Sequence, residues 1–277
     1  MPMLLPIQFA PVALDAVAGL PGRIAIVLPA DASQPQGSPA KRLDRLTRGA
    51  VARAMASEAW GKLKPGEAMD LAWPAGLAAE ALQLVKCDAR ADAATARKAG
   101  AVVGRGVGKQ GATVILGGVR RPAEFALGLV LRAYDFLAHK TAPAEARGTV
   151  TLMVAKPEEA EADARAAMAV AEGVVFTRDL VNEPANVLTT TDFADRLAAM
   201  REIGLEVEVL EEADLERLGM RTLLAVGIGS ESPSKVVVMQ WKGGPEGAAP
   251  FALIGKGVVF DTGGISIKPA GGMEEMT

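Results

Sequence analysis

Short runs of Val, Ile and Leu alternate along the first half of the chain with longer stretches in which apolar residues recur at helical spacing. Arg23 to Pro29, Leu82 to Val85, Thr113 to Leu116 and Val150 to Ala155 read as buried strands. Between them, Lys41 to Trp60 sets Leu43, Leu46, Ala50, Val51 and Ala54 on one helical face, and Pro122 to Ala138 does the same with Phe125, Leu129, Ala133, Phe136 and Leu137. This alternation predicts an α/β sheet with helices covering its faces. The apolar segment Met3 to Leu14 is broken by Pro6 and Pro11, and no Lys or Arg precedes Arg23. It therefore reads as a strand rather than a leader peptide.

Pro157 to Val181 begins with Pro at a first helical position, continues with Glu158, Glu159 and Glu161, and turns Ala- and Val-rich, the pattern of one long connecting helix. Asn182-Glu183-Pro184-Ala185-Asn186 stops it, because the residue before a proline is driven out of the α region. The alternation then repeats. Thr191 to Ile203 and Ala213 to Leu218 read as helices closed by Gly204 and Gly219, with Glu206 to Leu210 as a strand between them. Lys235 to Trp241 and Phe251 to Gly255 read as buried, neighbouring antiparallel strands. The expected organisation is a first domain over 1–155, a linking helix over 156–182, and the start of a second α/β domain over 183–277.

Half of the 277 residues are apolar and the formal net charge is -3, which excludes global disorder and leaves no concentrated basic surface for nucleic acid or an acidic membrane. No apolar run reaches the roughly 18 residues that a bilayer span needs, so a soluble cytoplasmic protein is expected. Cys87 is the single cysteine and His139 the single histidine. Neither an internal disulfide nor a two-His metal site can form, and chemistry must rest on carboxylates, lysines and backbone.

Gly104-Arg105-Gly106-Val107-Gly108-Lys109-Gln110 invites a phosphate-loop reading, but Val103 and Gln110 stand where that motif needs Gly and Ser/Thr. A glycine turn ending a helix fits better. His139 is expected at the end of the helix before it, and Cys87 as a small buried residue at a strand end. The stretch from Leu253 to Pro269 is unusual, because Lys256 sits between two glycines after an apolar strand and Asp261 between Phe260 and Thr262-Gly263-Gly264. Buried charges of this kind pair with one another or bind metal, so a Lys256–Asp261 ion pair and a metal site are both open readings.

Asn182-Glu183-Pro184-Ala185-Asn186, followed by Gly255-Lys256-Gly257 and Phe260-Asp261-Thr262-Gly263-Gly264-Ile265-Ser266-Ile267-Lys268-Pro269, resembles the leucyl aminopeptidase (cytosol aminopeptidase) family. The resemblance implies an N-terminal macro-domain-like α/β domain, a linking helix and a catalytic α/β metallopeptidase domain, assembled as a homohexamer. It implies a cytoplasmic hydrolase that releases N-terminal amino acids, with leucine-type preference, from peptides and uses two divalent ions, manganese or zinc.

By the same resemblance, Lys256 and Asp261 match metal ligands, Asp261 bridging both ions, and Lys268 matches the catalytic lysine that also contacts substrate. Met276 matches a methionine lining the pocket for the N-terminal side chain, while Asn182 and Asn186 shape the loop. A lysine ligates only as the free amine, whereas Lys268 as ammonium would stabilise a developing oxyanion. The family's third ligand and its Asp-x-Glu-x-Arg carboxylates are not found up to Thr277. The chain thus resembles the N-terminal portion of such an enzyme, ending inside the active-site signature, and is expected to be inactive alone. The competing expectation is a non-catalytic α/β binding or regulatory protein that recognises a nucleotide, nucleic acid or partner through the macro-like domain.

Overall fold

In the computed structural model, which describes residues 4–141 and 146–273, the first-half alternation becomes a six-stranded sheet. Its strands are β1 (Ile7–Pro11), β2 (Arg23–Leu28), β3 (Ala68–Ala72), β4 (Ala81–Lys86), β5 (Ala112–Gly117) and β6 (Val150–Val154), in the order β1-β6-β5-β2-β4-β3. All neighbours are parallel except the edge pair β3–β4. β4 is buried along its whole length, as a strand covered on both faces must be. Pro11, which cannot donate to a ladder, lies at the end of edge strand β1.

The helices of this half are α1 (Gly37–Leu46), α2 (Ala50–Met55), α3 (Glu58–Lys62), α4 (Ala93–Gly104), α5 (Pro122–Arg132) and the long α6 (Pro157–Asn182). Because side chains alternate along a strand, β2 serves both layers. Its Ile24, Ile26 and Leu28 pack with Leu43, Val51 and Trp60 on one face. Ala25 joins Val103, Phe125 and Leu129 on the other. There α4 and α5 touch backbone to backbone, since a Cβ on Gly100 would lie 1.9 Å from the Phe125 carbonyl oxygen.

The single helix expected over Lys41 to Trp60 is instead three. Thr47 turns its hydroxyl onto the Leu43 carbonyl at 2.8 Å, Gly49 takes φ 79°, and the Asp44 carboxylate accepts from the Ala52 N–H at 2.8 Å. Ser57 then caps α3 by accepting from the Trp60 N–H at 3.2 Å. The helix expected to reach Ala138 stops at Arg132, although Phe136 and Leu137 continue its apolar spacing. His139 therefore does not sit at that helix end, and its ring lies 5.7 Å from the Phe136 ring instead. The glycine-rich loop after α4 is structural. Gln110 accepts from the Gly22 N–H at 3.2 Å and Gly106 from Arg23 Nε at 3.1 Å, at the edge where β2 and β5 begin.

Lys86, at the end of β4, is 7% exposed. Its ammonium donates to the carbonyls of Trp60 and Leu63 at 3.1 and 3.0 Å and lies 5.2 Å from the Trp60 ring centroid. Carbonyls at the C-terminal end of α3 thus supply its partners, that of Trp60 accepting from the Leu63 N–H as well.

Contacts divide the chain into Met1–Thr177 and Arg178–Thr277. In the second unit, α7 (Thr190–Ala198) opens on a Thr189/Asp192 capping box and continues as a 3₁₀ turn to Ile203, where Gly204 at φ 95° ends it. Strand β7 (Glu206–Leu210), helices α8 (Glu212–Arg217) and α9 (Arg221–Gly227) and strand β8 (Val236–Gln240) follow. β8 pairs antiparallel with β7. Phe251 to Gly255, expected as its partner, forms no strand, and Phe251, Leu253 and Ile254 are 88%, 86% and 99% exposed. A buried strand needs pairing along its edges and cover on its faces, and the described residues of this unit supply neither. No described helix is long and apolar enough to cross a membrane.

Candidate functional site

The residues singled out by the signature lie on the irregular chain after β8. Asp261 and Lys268 are brought together there by a closed turn. The Asp261 Oδ1 accepts from the Gly263 N–H at 3.0 Å, the Thr262 hydroxyl from the Gly264 N–H at 3.2 Å, and the Thr262 carbonyl from the Lys268 N–H at 2.9 Å. Gly263 has φ 89°, and a Cβ there would lie 2.5 Å from the Ser266 carbonyl oxygen, so the reversal requires glycine. The reversal returns Lys268 Nζ to Asp261, 2.9 Å from Oδ2 and 3.0 Å from the carbonyl oxygen.

The Lys268 hydrogen bond, then the Gly263 N–H and the Lys268 charge, hold the Asp261 carboxyl below the ordinary aspartate range. Lys256 contributes a weaker charge effect in the same direction. The ion pair foreseen between Lys256 and Asp261 is therefore made by Lys268 instead. Burial foreseen for these charges is also absent: the Asp261 and Lys268 side chains are 62% and 32% exposed, and Lys256 is exposed. Gly257 packs against α7, where a Cβ would lie 2.8 Å from Phe193 Cε1. Met276 lies outside the described residues.

The Asn182-to-Asn186 segment ends α6. Asn182 Nδ2 donates to the Arg178 carbonyl at 2.8 Å, and the Pro184 carbonyl accepts from the Val187 and Leu188 N–H groups at 2.8 and 2.9 Å. Within it, Glu183 is 7% exposed and pairs with Arg196 at 3.0 Å. Sequence reasoning passed over this residue, although a carboxylate wedged between an Asn and a Pro at a helix end was the available signal. Cys87, 2% exposed, has its thiol pushed up to about 11, first by burial and then by the Asp88 and Asp92 charges, so it is no activated nucleophile.

Among the described residues no group of three or more His, Cys, Asp and Glu could hold a metal ion. Asp261 and Lys256 are two donors of the right chemistry, but both Asp261 oxygens are engaged within the turn. This donor set alone does not fit a divalent ion.

Residues 175–277 match the sequence profile of the "Cytosol aminopeptidase family, catalytic domain". The "Probable cytosol aminopeptidase" of Cereibacter sphaeroides is 62% identical over 98% of this chain and 55% of its own length. The chain belongs to the cytosol aminopeptidase family. A family relative from Methylorubrum extorquens is 43% identical over 91% of this chain and 51% of its own length. Among solved structures, the bottromycin maturation enzyme BotP in complex with Mn superposes with a TM-score of 0.63 at 31% identity, covering 91% of this chain and 52% of that one. A tomato leucine aminopeptidase variant, 17% identical, shares the fold with a TM-score of 0.66 over 84% of this chain and 50% of its own. The chain spans about half the length of the curated relatives it matches. The mixed α/β fold expected from the sequence is the fold observed.

Proposed function

We propose that this chain forms part of a two-metal aminopeptidase that releases N-terminal amino acids, with leucine-type preference, from peptides. The observation that carries the reading is the Asp261–Lys268 pair on a glycine-dependent turn, inside the region matching the family's catalytic domain. Lys256 and Asp261 are assigned as two donors to divalent ions, with Asp261 bridging, in a set that other residues complete. Manganese is the first choice, because BotP binds Mn, and zinc is the second. Such ions would polarise the scissile carbonyl and activate a water.

The chain's own contribution is electrostatic. Asp261 is kept ionised, and Lys268 holds an ammonium on a fixed turn where it could meet the oxyanion that develops as the peptide carbonyl is attacked. Met276 is assigned to the pocket for the substrate's first side chain. The native assembly is proposed as a homohexamer in the cytoplasm. The decisive experiment measures hydrolysis of leucine p-nitroanilide by the native protein with manganese, beside its Asp261→Ala variant. Activity that disappears in the variant together with bound metal is expected, and full activity or full metal content in Asp261→Ala would overturn the assignment.

A further inference from the structure

The near-even charge balance that argued against a concentrated basic surface averages over one local exception. From α1 into α2, residues 41–53 carry Lys41, Arg42, Arg45, Arg48 and Arg53 against the single carboxylate of Asp44. That carboxylate accepts from the Ala52 N–H, and Glu58, the next acidic residue, pairs with Lys62 at 2.6 Å. None of the five cations forms an ion pair with a described residue, and Lys41, Arg45, Arg48 and Arg53 are exposed. Lys41 and Arg45 stand one turn apart on α1, where like charges repel. Arg42 shows that an acceptor is missing here, because its Nε is buried without a hydrogen-bond partner among the described residues.

The same face carries backbone strain and an exposed indole. Arg48 at φ 53° and Trp73 at φ 46° are the only non-glycine residues with positive φ among those described, a conformation that bulky side chains rarely adopt. Their loops touch, since Gly76, shortly after Trp73, lies against the end of α1, where a Cβ would come 2.0 Å from the Leu46 carbonyl oxygen. The Trp73 loop is anchored: the Trp73 N–H donates to the Glu80 carbonyl at 2.8 Å and the Glu80 N–H to the Gly22 carbonyl at 2.7 Å. Trp73 nevertheless stays 75% exposed. Strain held in place by its surroundings collects where ligands are gripped, and Trp and Arg dominate the energetics of protein interfaces. We propose that this face of the first unit docks an acidic segment of a partner protein, its carboxylates on Lys41, Arg45 and Arg48 and one apolar side chain on the Trp73 indole. Guanidinium groups hold carboxylates in paired, charge-assisted hydrogen bonds. A short segment suits the surface better than a nucleic acid or an anionic bilayer. Lys41 to Arg48 cover about two helical turns, on the order of 10 Å, and the rest of a chain of net charge -3 repels a polyanion that runs beyond them.

The test is fluorescence anisotropy of a short labelled polyglutamate peptide with one central phenylalanine, titrated with the full chain at low salt. The peptide should bind, and its affinity should fall as salt is added. Lysine in place of the glutamates should weaken it at least about tenfold, and alanine in place of the phenylalanine about threefold or more. Arg48→Gly and Trp73→Gly place glycine where the backbone is left-handed, so each should hold or raise the thermal midpoint while weakening the peptide about tenfold or more. If a midpoint falls, Arg45→Gln, exposed on α1 and close to arginine in helix propensity, takes its place with the same expectation. No binding of the glutamate peptide, unchanged binding in the variant used, or a control peptide, an oligothymidylate or a phosphatidylserine vesicle binding as tightly, overturns the proposal.

Discussion

Lys268 Nζ stands 2.9 Å from Asp261 Oδ2 and 3.0 Å from the Asp261 carbonyl oxygen, so one ammonium satisfies both the side chain and the backbone of the same residue. A free carboxyl titrates near about 3.9, and this one is held lower. A depressed folded value means that the pair's support of the turn is complete above the ordinary range and is lost as pH falls through the lower value. The carboxyl resonance of Asp261, followed by NMR, should therefore titrate below that of an unpaired aspartate. In Lys268→Met it should move back up. An unchanged titration in that variant would show that the pair does not form in solution.

The same lysine separates two roles in the proposed enzyme. If Lys268 acts on the oxyanion rather than on the metal, Lys268→Ala in the native protein should retain its bound metal while kcat falls about 10²- to 10³-fold. Metal content and steady-state kinetics on one preparation check this. A rise in KM with kcat intact would reduce Lys268 to uniform substrate binding.

Glycines in helices make opposite predictions according to what faces them. Gly100 on α4 meets the Phe125 carbonyl of α5, so Gly100→Ala must push two helices apart and should cost about 1–3 kcal/mol or more. Gly173 lies exposed inside α6 with nothing within 4 Å of an added Cβ. Gly173→Ala should stabilise by about 0.5–1 kcal/mol, because alanine loses less backbone entropy on folding. Denaturant midpoints of the two variants should move in opposite directions.

Much of the first sheet was legible because its strands are covered on both faces, and continuous runs such as Ala81–Lys86 can be little else. The breaks within residues 41–60 were not, since they depend on where single side chains such as Asp44 and Ser57 find backbone donors. An apolar run was read correctly as a strand at Val236–Gln240, which pairs with β7 although none of its residues is buried, and wrongly at Phe251 to Gly255, where no described neighbour pairs with it. In the site, spacing suggested the nearer lysine as the partner of Asp261. The reversal at Gly263 selects Lys268, a choice that depends on the positive φ that glycine permits there and not on which lysine lies nearer along the chain.

Lys86 tests how a buried cation is kept. Its two carbonyl partners and the Trp60 ring hold the ammonium with no acidic side chain paired to it among the described residues, and the methionine that best matches its length offers no donor. Lys86→Met should leave the carbonyls of Trp60 and Leu63 without this donor and cost about 1–3 kcal/mol. A midpoint equal to the parent's would mean that water replaces the ammonium at the end of α3.

The 277-residue chain by itself should hold divalent metal weakly and hydrolyse no leucine p-nitroanilide. A catalytic zinc site normally needs about three protein ligands. The described residues present only Lys256 and Asp261 with the proposed role, and no cluster of three His, Cys, Asp and Glu is found among them. For Asp261 to ligate, it must also give up the Lys268 ammonium and the Gly263 N–H that now occupy its oxygens. Manganese titration followed by the spin-resonance signal of the free ion should thus show little uptake, and Asp261→Ala should change it little. Tight uptake that disappears in Asp261→Ala, accompanied by turnover, would show that two visible donors suffice and that the turn opens readily.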